Sequence, residues 1–123
     1  MSAADAPLDA GRARELLSRE RERIEGSLAN LERRRRGELE EIETGIDPTD
    51  DSEMIDEEQI DDALAEQLRE ELEAVERAER RLADGSYGFS VESGDPIPAP
   101  RLEAIPWAER TAEEQQRRDR GPG

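Results

Sequence analysis

The stretch Gly45-Ile-Asp-Pro-Thr-Asp-Asp-Ser52 separates two long segments whose apolar residues recur with helical spacing. Pro48 cannot donate a backbone N–H, and it disfavours the α region at the residue before it, so a helix cannot run through this point. The neighbouring glycine, aspartates, threonine and serine are all turn-forming residues. We therefore predict that one helix stops near Thr44 and that a second begins near Ser52, with Asp51 or Ser52 as its cap.

The predicted turn places three carboxylates at the exposed tip of a helical hairpin, from Asp47, Asp50 and Asp51. These side chains have two interpretations. They can satisfy backbone groups of the turn and cap the second helix, or they can contact a partner. Turn chemistry alone favours the first interpretation, because aspartate is common in turns and at helix N-termini.

Upstream of the turn, Leu17, Ile24 and Leu31 recur every seven residues, which is the spacing of a coiled coil. Leu28 and Ile42 occupy the second apolar position of the same repeat. This pattern predicts a helix that is on the order of 50 Å long, since each residue of an α-helix adds about 1.5 Å.

Downstream of the turn the heptad pattern returns. Because a tight turn joins the two helices, they must run antiparallel, each burying the apolar stripe of the other. The main seam positions are Leu68, Val75 and Leu82, the second positions are Leu64 and Ala78, and the residues that widen the stripe are Ile60, Ala63 and Leu72.

The composition also favours a narrow seam over a wide core. Charged residues make up 42% of the chain and aromatic residues only 2%. A two-helix seam needs little apolar area per residue, whereas a globular core of this length needs more. Because the hairpin satisfies its own seam, we expect a monomer.

The charge balance excludes several classes of function. The formal net charge is −16, which disfavours direct binding to nucleic acid phosphates or anionic membranes and favours a partner with a positive surface. The chain has no histidine, no cysteine and no glycine-rich phosphate loop, so we expect no catalysis and no cofactor. It shows no signal peptide or membrane span, so we expect a cytoplasmic protein.

The run Arg33-Arg-Arg-Arg36 stands out in an acidic chain. It invites a nucleic-acid interpretation, but glutamates surround it and the facing helix is rich in acidic residues. We therefore expect charge pairing within the hairpin. Contact with an acidic patch on a partner is the alternative.

The predicted organisation has four segments. Residues 1–8 are a tail, residues 9–83 are the hairpin with its tip at 45–52, residues 84–115 are a loop-rich knob, and residues 116–123 are a second tail. Within the knob, Thr111 and Glu114 have the spacing of a capping box and predict a short closing helix that runs to Arg120. The large apolar residues outside the hairpin are Tyr87, Phe89, Ile97, Leu102, Ile105 and Trp107.

Three motifs in the knob resemble the C-terminal signature of the DksA/TraR family. They are Leu82-Ala-Asp-Gly-Ser-Tyr-Gly88, Gly94-Asp-Pro-Ile97 and Arg101-Leu-Glu-Ala-Ile-Pro-Trp-Ala108. The tip also resembles the family, because Asp47-Pro-Thr-Asp50 fits the Asp-x-x-Asp motif of members with DksA-like activity. The resemblance extends over roughly residues 10–115.

The resemblance implies a function for the tip. Family members are transcription factors that insert an acidic hairpin into the secondary channel of bacterial RNA polymerase. Asp47 and Asp50, with Asp51 and Ser52 beside them, would then contact the catalytic region and alter the stability of promoter complexes without doing chemistry. Two alternatives stay open: a Gre-like factor whose tip acids hold a second Mg²⁺ to stimulate transcript cleavage, or an acidic structural coiled coil that binds a basic protein.

The resemblance also implies a zinc ribbon, and here the chain departs from the family. The four zinc-binding cysteines fall at Ser90, Ser93, Thr111 and Glu114. Neutral hydroxyls are poor zinc ligands, so we predict no zinc. The predicted fold is mainly α, with a coiled-coil hairpin, a small zinc-ribbon-like knob without zinc and a short C-terminal helix. We expect Tyr87, Phe89, Leu102 and Trp107 to hold the knob together, and Arg101 to brace it against acidic side chains of the hairpin.

Overall fold

The computed structural model describes residues 8–37 and 51–121, and for residues 51–58 it describes the backbone only. The described residues form four helices, in the order α1 (Ala10–Arg35), α2 (Asp51–Asp84), α3 (Ala99–Ala104) and α4 (Ala112–Arg120). Within these ranges, β structure is confined to one isolated antiparallel bridge, between Phe89 and Pro96. The predicted mainly α fold is confirmed.

The end of α1 differs from the prediction. α1 ends at Arg35, whereas the sequence predicts a stop near Thr44. Gly37 has a φ of 73°, and a left-handed glycine just beyond a helix is a common stop signal, since glycine has no Cβ to clash there. Arginines in the last turn also complement the negative end of the helix dipole. Residues 38–50, which hold most of the predicted turn, lie outside the described residues.

The bounds of α2 agree with the prediction. The helix begins at Asp51, next to the expected start near Ser52, and it ends at Asp84. The side chains of its first turn are not described, so the predicted cap stays a prediction. Gly85 follows with a φ of 87°, as expected for a glycine stop.

The chain divides into two compact units. Unit 1 comprises Met1–Arg21 and Glu73–Gly123, and unit 2 comprises Glu22–Leu72. Each unit contains part of α1 and part of α2. The division therefore crosses the predicted hairpin segment 9–83 and joins its base to the predicted knob.

Unit 1 holds the larger apolar core. The C-terminal module, which we define as residues 85–121, contributes two fully buried side chains, Ile97 and Leu102. Tyr87 is also buried and donates its phenolic O–H to the carbonyl oxygen of Pro106 over 2.8 Å. Burial raises the pKa of Tyr87 to about 12. The other buried apolar residues of unit 1 are Ala13, Leu17, Ala74, Val75, Ala78 and Ala108.

Unit 2 is a helix pair with a narrow core. Its buried apolar residues are Ile24, Leu31, Ala65 and Leu68. The ion pairs of unit 2 show that the helices run antiparallel, because early residues of α1 pair with late residues of α2. These pairs are Arg23 with Glu71 at 3.3 Å, Arg34 with Asp61 at 3.9 Å, and Arg35 with Asp62.

These contacts settle two predictions about the helix pair. Charge pairing within the hairpin is confirmed for Arg34 and Arg35. The main seam is also largely confirmed: Leu17, Ile24, Leu31, Leu68, Val75 and Ala78 are all buried.

The predicted widening of the α2 stripe is wrong at its N-terminal half. Ile60 is 63% exposed and Leu64 is 41% exposed, and Ala63 is exposed as well. The buried face passes instead through Ala65 and Leu68, which are three positions apart and so lie on one side of the helix. The heptad assignment of Leu64 is therefore one residue out of register with the face that α2 buries.

Ion pairs join the C-terminal module to the helices within unit 1. Arg77 donates to the Glu109 carboxylate from Nε and Nη2, with distances of 3.2 and 2.8 Å, and Arg81 lies 3.4 Å from it. From α1, Arg12 makes a bidentate pair with Glu103, at 3.0 Å for both bonds.

Two predicted contacts of the module are corrected. Phe89 is 40% exposed and forms the isolated bridge with Pro96, so it does not belong to the module core. Arg101 does not brace the module against the acidic side chains of the hairpin. Its Nε donates instead to the carbonyl oxygen of Arg110 over 2.9 Å, within the module itself.

Candidate functional site

The predicted tip lies mostly outside the part of the chain that the structure describes. Asp47 and Asp50 are not described, and Asp51 and Ser52 are described only as backbone in the first turn of α2. The role of these tip residues therefore stays a prediction.

The four predicted zinc-ligand positions, in contrast, are all described, and the structure brings them together. Ser90 and Ser93 lie in the loop before α3, whereas Thr111 and Glu114 lie at the start of α4. Ser90 is 5% exposed and Glu114 is 6% exposed, and they are the two buried polar residues of the described chain. We call these four residues the polar cluster.

The loop half of the polar cluster is a turn organised by serine hydroxyls. The Ser90 hydroxyl oxygen accepts hydrogen bonds from the backbone N–H groups of Glu92 at 3.1 Å and Ser93 at 3.3 Å. The Ser93 hydroxyl oxygen accepts in turn from the N–H of Asp95 at 3.2 Å. Serine favours such short-range bonds to backbone, which fix a turn without any ligand.

The helix half of the polar cluster is a capping box. Thr111 Oγ1 accepts from the backbone N–H of Glu114 at 3.3 Å, and the Glu114 carboxylate accepts from the backbone N–H of Thr111 at 2.8 Å. This reciprocal pair satisfies backbone donors that the first turn of a helix otherwise leaves unpaired. The predicted capping box and the helix that it opens are confirmed.

One hydrogen bond links the two halves. The Ser90 hydroxyl donates to Glu114 Oε1 over 2.6 Å, across 24 positions of sequence. The bond from Ser90 and then the bond from the Thr111 backbone lower the pKa of Glu114 to about 2. Glu114 is therefore a buried carboxylate that stays ionised because several donors point at it.

The polar cluster does not fit a structural zinc ion. Such a site needs four strong donors, most often thiolate or imidazole, in tetrahedral geometry. Three of the four side chains here are neutral hydroxyls, and the fourth is a carboxylate whose oxygen already accepts two hydrogen bonds. Among the side chains of residues 8–37 and 59–121, no group of three or more histidine, cysteine, aspartate or glutamate residues has a geometry that could hold a metal ion.

Sequence reasoning found these four positions but missed their interaction. The prediction treats them as lost ligands and assigns the stability of the module to apolar residues and to Arg101. The signal available was the capping box, which already placed the Glu114 side chain at the N-terminus of α4. Nothing local in the sequence indicated that Ser90 would reach the same carboxylate.

The comparisons with known proteins agree with this geometry. The family model of the prokaryotic DksA/TraR C4-type zinc finger matches residues 85–120, which is nearly the whole C-terminal module. The solved structure of the transcription factor DksA2 from Pseudomonas aeruginosa superposes with a TM-score of 0.69 and 29% identity, over 90% of this chain and 83% of that chain.

Curated relatives match shorter stretches. General stress protein 16O of Bacillus subtilis (strain 168) is 38% identical over 80 residues, which cover 63% of this chain and 49% of that protein. The RNA polymerase-binding transcription factor DksA of Caulobacter vibrioides is 44% identical over 52 residues, which cover 42% of this chain and 37% of that protein. The chain thus spans about half the length of the curated relatives that it matches, or less.

The fold and the polar cluster together define a class: a helical-hairpin protein whose zinc-finger-like C-terminal module lacks metal-binding cysteines. Its C-terminal module matches the DksA/TraR family over residues 85–120, as a variant without those cysteines. Within the described ranges, none of the helices is long and apolar enough to cross a bilayer.

Proposed function

We propose that the protein is a transcription regulator that binds RNA polymerase. The observation that carries this proposal is the likeness to DksA2 over 90% of the chain, together with the match to a relative that is named for binding RNA polymerase. In this proposal the protein is not an enzyme. It acts in the cytoplasm as a monomer, and it makes no direct contact with nucleic acid or membrane.

The proposed mechanism uses the segment between α1 and α2. This segment enters the secondary channel of the polymerase, where Asp47 and Asp50 meet the catalytic region and Asp51 and Ser52 flank the contact. A narrow helix pair can enter a channel that excludes a globular body of the same charge. The carboxylates change the stability of promoter complexes through charge and hydrogen bonding, so the mechanism needs no nucleophile or bound cofactor.

The structure supports this mechanism in two respects. The helix pair of unit 2 flanks this segment in sequence on both sides, and it buries Ile24, Leu31, Ala65 and Leu68, which supports a self-paired hairpin. The arginines next to the segment are neutralised within the pair, because Arg34 and Arg35 bind Asp61 and Asp62. The charge of the proposed tip therefore stays negative.

Capture and crosslinking test this proposal. Full-length protein with a photocrosslinking residue at position 50 is incubated with core polymerase, and the crosslinked polymerase segment is mapped. We expect crosslinks beside the catalytic centre. The matched control carries the same residue at the exposed position 116 on α4 and should give none there. Crosslinks from position 50 to the outer surface alone would overturn the proposed mode of action.

Two further measurements on the same protein test the two alternative functions. A Gre-like factor shortens the transcript of a backtracked complex, whereas the proposed regulator leaves its length unchanged. An acidic structural coiled coil binds basic proteins through its overall charge and shows no preference for polymerase over another basic protein. Either result would replace the proposed function.

A further inference from the structure

We propose that Glu114 closes the C-terminal module without metal, by tying the Ser90 loop to the start of α4. In a C4-type zinc finger, one ion joins four ligands from two separate stretches of chain. In this protein the same four positions are joined directly to one another by hydrogen bonds. This inference stands on the geometry of the module and does not depend on the proposed function.

The first step of the argument is the position of the Glu114 carboxylate. Its Oε1 atom accepts from the Ser90 hydroxyl at 2.6 Å and from the Thr111 backbone N–H at 2.8 Å. One oxygen atom therefore holds both halves of the polar cluster, as a metal ion would. Hydrogen bonds to an ionised acceptor are about twice as strong as neutral ones, which suits this central role.

The second step is that the bonds continue outwards from this oxygen. The Ser90 hydroxyl donates a hydrogen bond to Glu114, and its oxygen accepts from the backbone N–H groups of Glu92 and Ser93, so the loop turn and the carboxylate are connected. On the other side, Thr111 Oγ1 accepts from the Glu114 backbone. A buried network in which every member has a partner rigidifies its surroundings, whereas a partly satisfied network destabilises them.

The third step is burial. Ser90 is 5% exposed and Glu114 is 6% exposed, so water has little access to either side chain when the other is removed. Taking away one partner of a buried, charged hydrogen bond leaves the remaining group unpaired, which is costly. The bond between Ser90 and Glu114 is therefore the point at which the module can be opened.

The first test compares two neighbouring glutamates of α4. Glu114→Ala removes the central acceptor, whereas Glu113→Ala removes the same charge from an exposed position of the same helical turn. Amide hydrogen exchange of full-length protein should accelerate in residues 88–95 and 108–115 by roughly tenfold or more in Glu114→Ala, and by less than about twofold in Glu113→Ala.

A conservative variant separates this role from simple misfolding. Glu114→Gln keeps the length of the side chain and one acceptor oxygen, so exchange in the same segments should fall between the native and the Glu114→Ala rates. The seam residues of unit 2 should stay protected in all three variants. Equal exchange in Glu114→Ala and Glu113→Ala would overturn the proposal.

The second test restores the thiolate ligands. A variant with Ser90→Cys, Ser93→Cys, Thr111→Cys and Glu114→Cys should bind one Co²⁺ ion and show thiolate-to-cobalt absorption, because the four side chains already converge. Its module should then open when a chelator is added. The native protein should show no cobalt absorption, and its exchange rates should not change with a chelator. Failure of the fourfold variant to bind Co²⁺, or opening of the native module by a chelator, would contradict the proposed closure.

Discussion

In the C-terminal module, the stabilising contacts follow no sequence period, whereas in unit 2 they repeat along two paired helices. The module buries Ile97 and Leu102 completely and also contains the polar cluster. Unit 2 buries a single narrow row of apolar residues, and its ion pairs lie largely in water. The comparison teaches that one substitution can open the module, whereas unit 2 distributes its stability over many weak contacts.

The largest difference in stability should be between two leucine-to-alanine variants, one at a buried position of the module and one at an exposed position of unit 2. Leu102→Ala empties a site that is fully buried in the module and should lower the free energy of unfolding by about 2–5 kcal/mol. Leu64→Ala is the same change at a largely exposed position of unit 2 and should cost less than about 1 kcal/mol. Chemical denaturation of both variants measures the difference. Equal costs would remove the contrast between the two regions.

Two glutamate–arginine pairs sharpen the comparison. Glu109→Gln should cost about 1–3 kcal/mol, because it leaves the largely buried Arg81 without its carboxylate. Burial already lowers the pKa of Arg81, and its Nη2 atom has no hydrogen-bond partner among the residues that the structure describes. Glu71→Gln removes one partner of the half-exposed Arg23 in unit 2 and should cost at most about 1 kcal/mol.

The measurement for these pairs is thermal or chemical unfolding at low and high salt. Added salt should reduce the cost of Glu71→Gln more than that of Glu109→Gln, because water screens an exposed pair better than a buried one. The opposite order would show that the pair at Glu109 is not shielded from solvent.

The pH dependence of stability should distinguish the module from unit 2. The pKa of Glu114 falls from its ordinary 4.5 to about 2 in the folded protein. Above pH 4.5 the carboxylate is charged in both the folded and the unfolded chain, so its contribution is complete. As the pH falls towards 2, the unfolded chain takes up the proton first, and this contribution is lost.

Fluorescence of Trp107, which lies in the module, should therefore report opening in this acid range. Other carboxylates titrate in the same range, so the quantity to measure is the difference between native protein and Glu114→Gln. That difference should shrink as the pH falls from 4.5 to 2. A difference that does not change with pH would contradict the proposal that the ionised Glu114 carboxylate is the central acceptor of the polar cluster.

The smallest effect belongs to the arginine run. Arg35→Gln breaks an ion pair with Asp62 whose two side chains are largely exposed. Such pairs contribute about 0–1 kcal/mol, because both charges are well solvated when they separate. Denaturation midpoints of this variant and native protein should nearly coincide. A loss as large as that of Glu109→Gln would mean that unit 2 depends on its charges as strongly as the module does.

The helix pair was predictable because its signal is periodic. Leucine and isoleucine at seven-residue spacing predict which residues face the partner helix, and six of the assigned seam residues are buried. The predicted end of α1 was wrong because a local stop signal, the glycine at position 37, opposed the seven-residue repeat. Gly37 ends α1 although no proline follows until the turn, and the arginines before it favour a helix end.

The module was predictable only in part, because most of its contacts follow no sequence period. The capping box at Thr111 and Glu114 is local, so spacing alone indicated it. The bond from Ser90 spans 24 positions, and the ion pair of Arg77 with Glu109 spans 32, so no local pattern indicates either. Family resemblance indicated which four positions meet, but not that they bond to one another.

The central claim is that the acidic tip, and not the overall charge, regulates the polymerase. The most direct measurement is the lifetime of promoter complexes with native protein, with Asp47→Asn and Asp50→Asn together, and with Glu66→Gln and Glu70→Gln together. Each pair removes two of the negative charges, and the second pair lies on the exposed surface of α2.

We predict that native protein and the α2 pair change the lifetime alike, while the tip pair still binds polymerase but has no effect. A tip pair that acts like native protein would contradict the account.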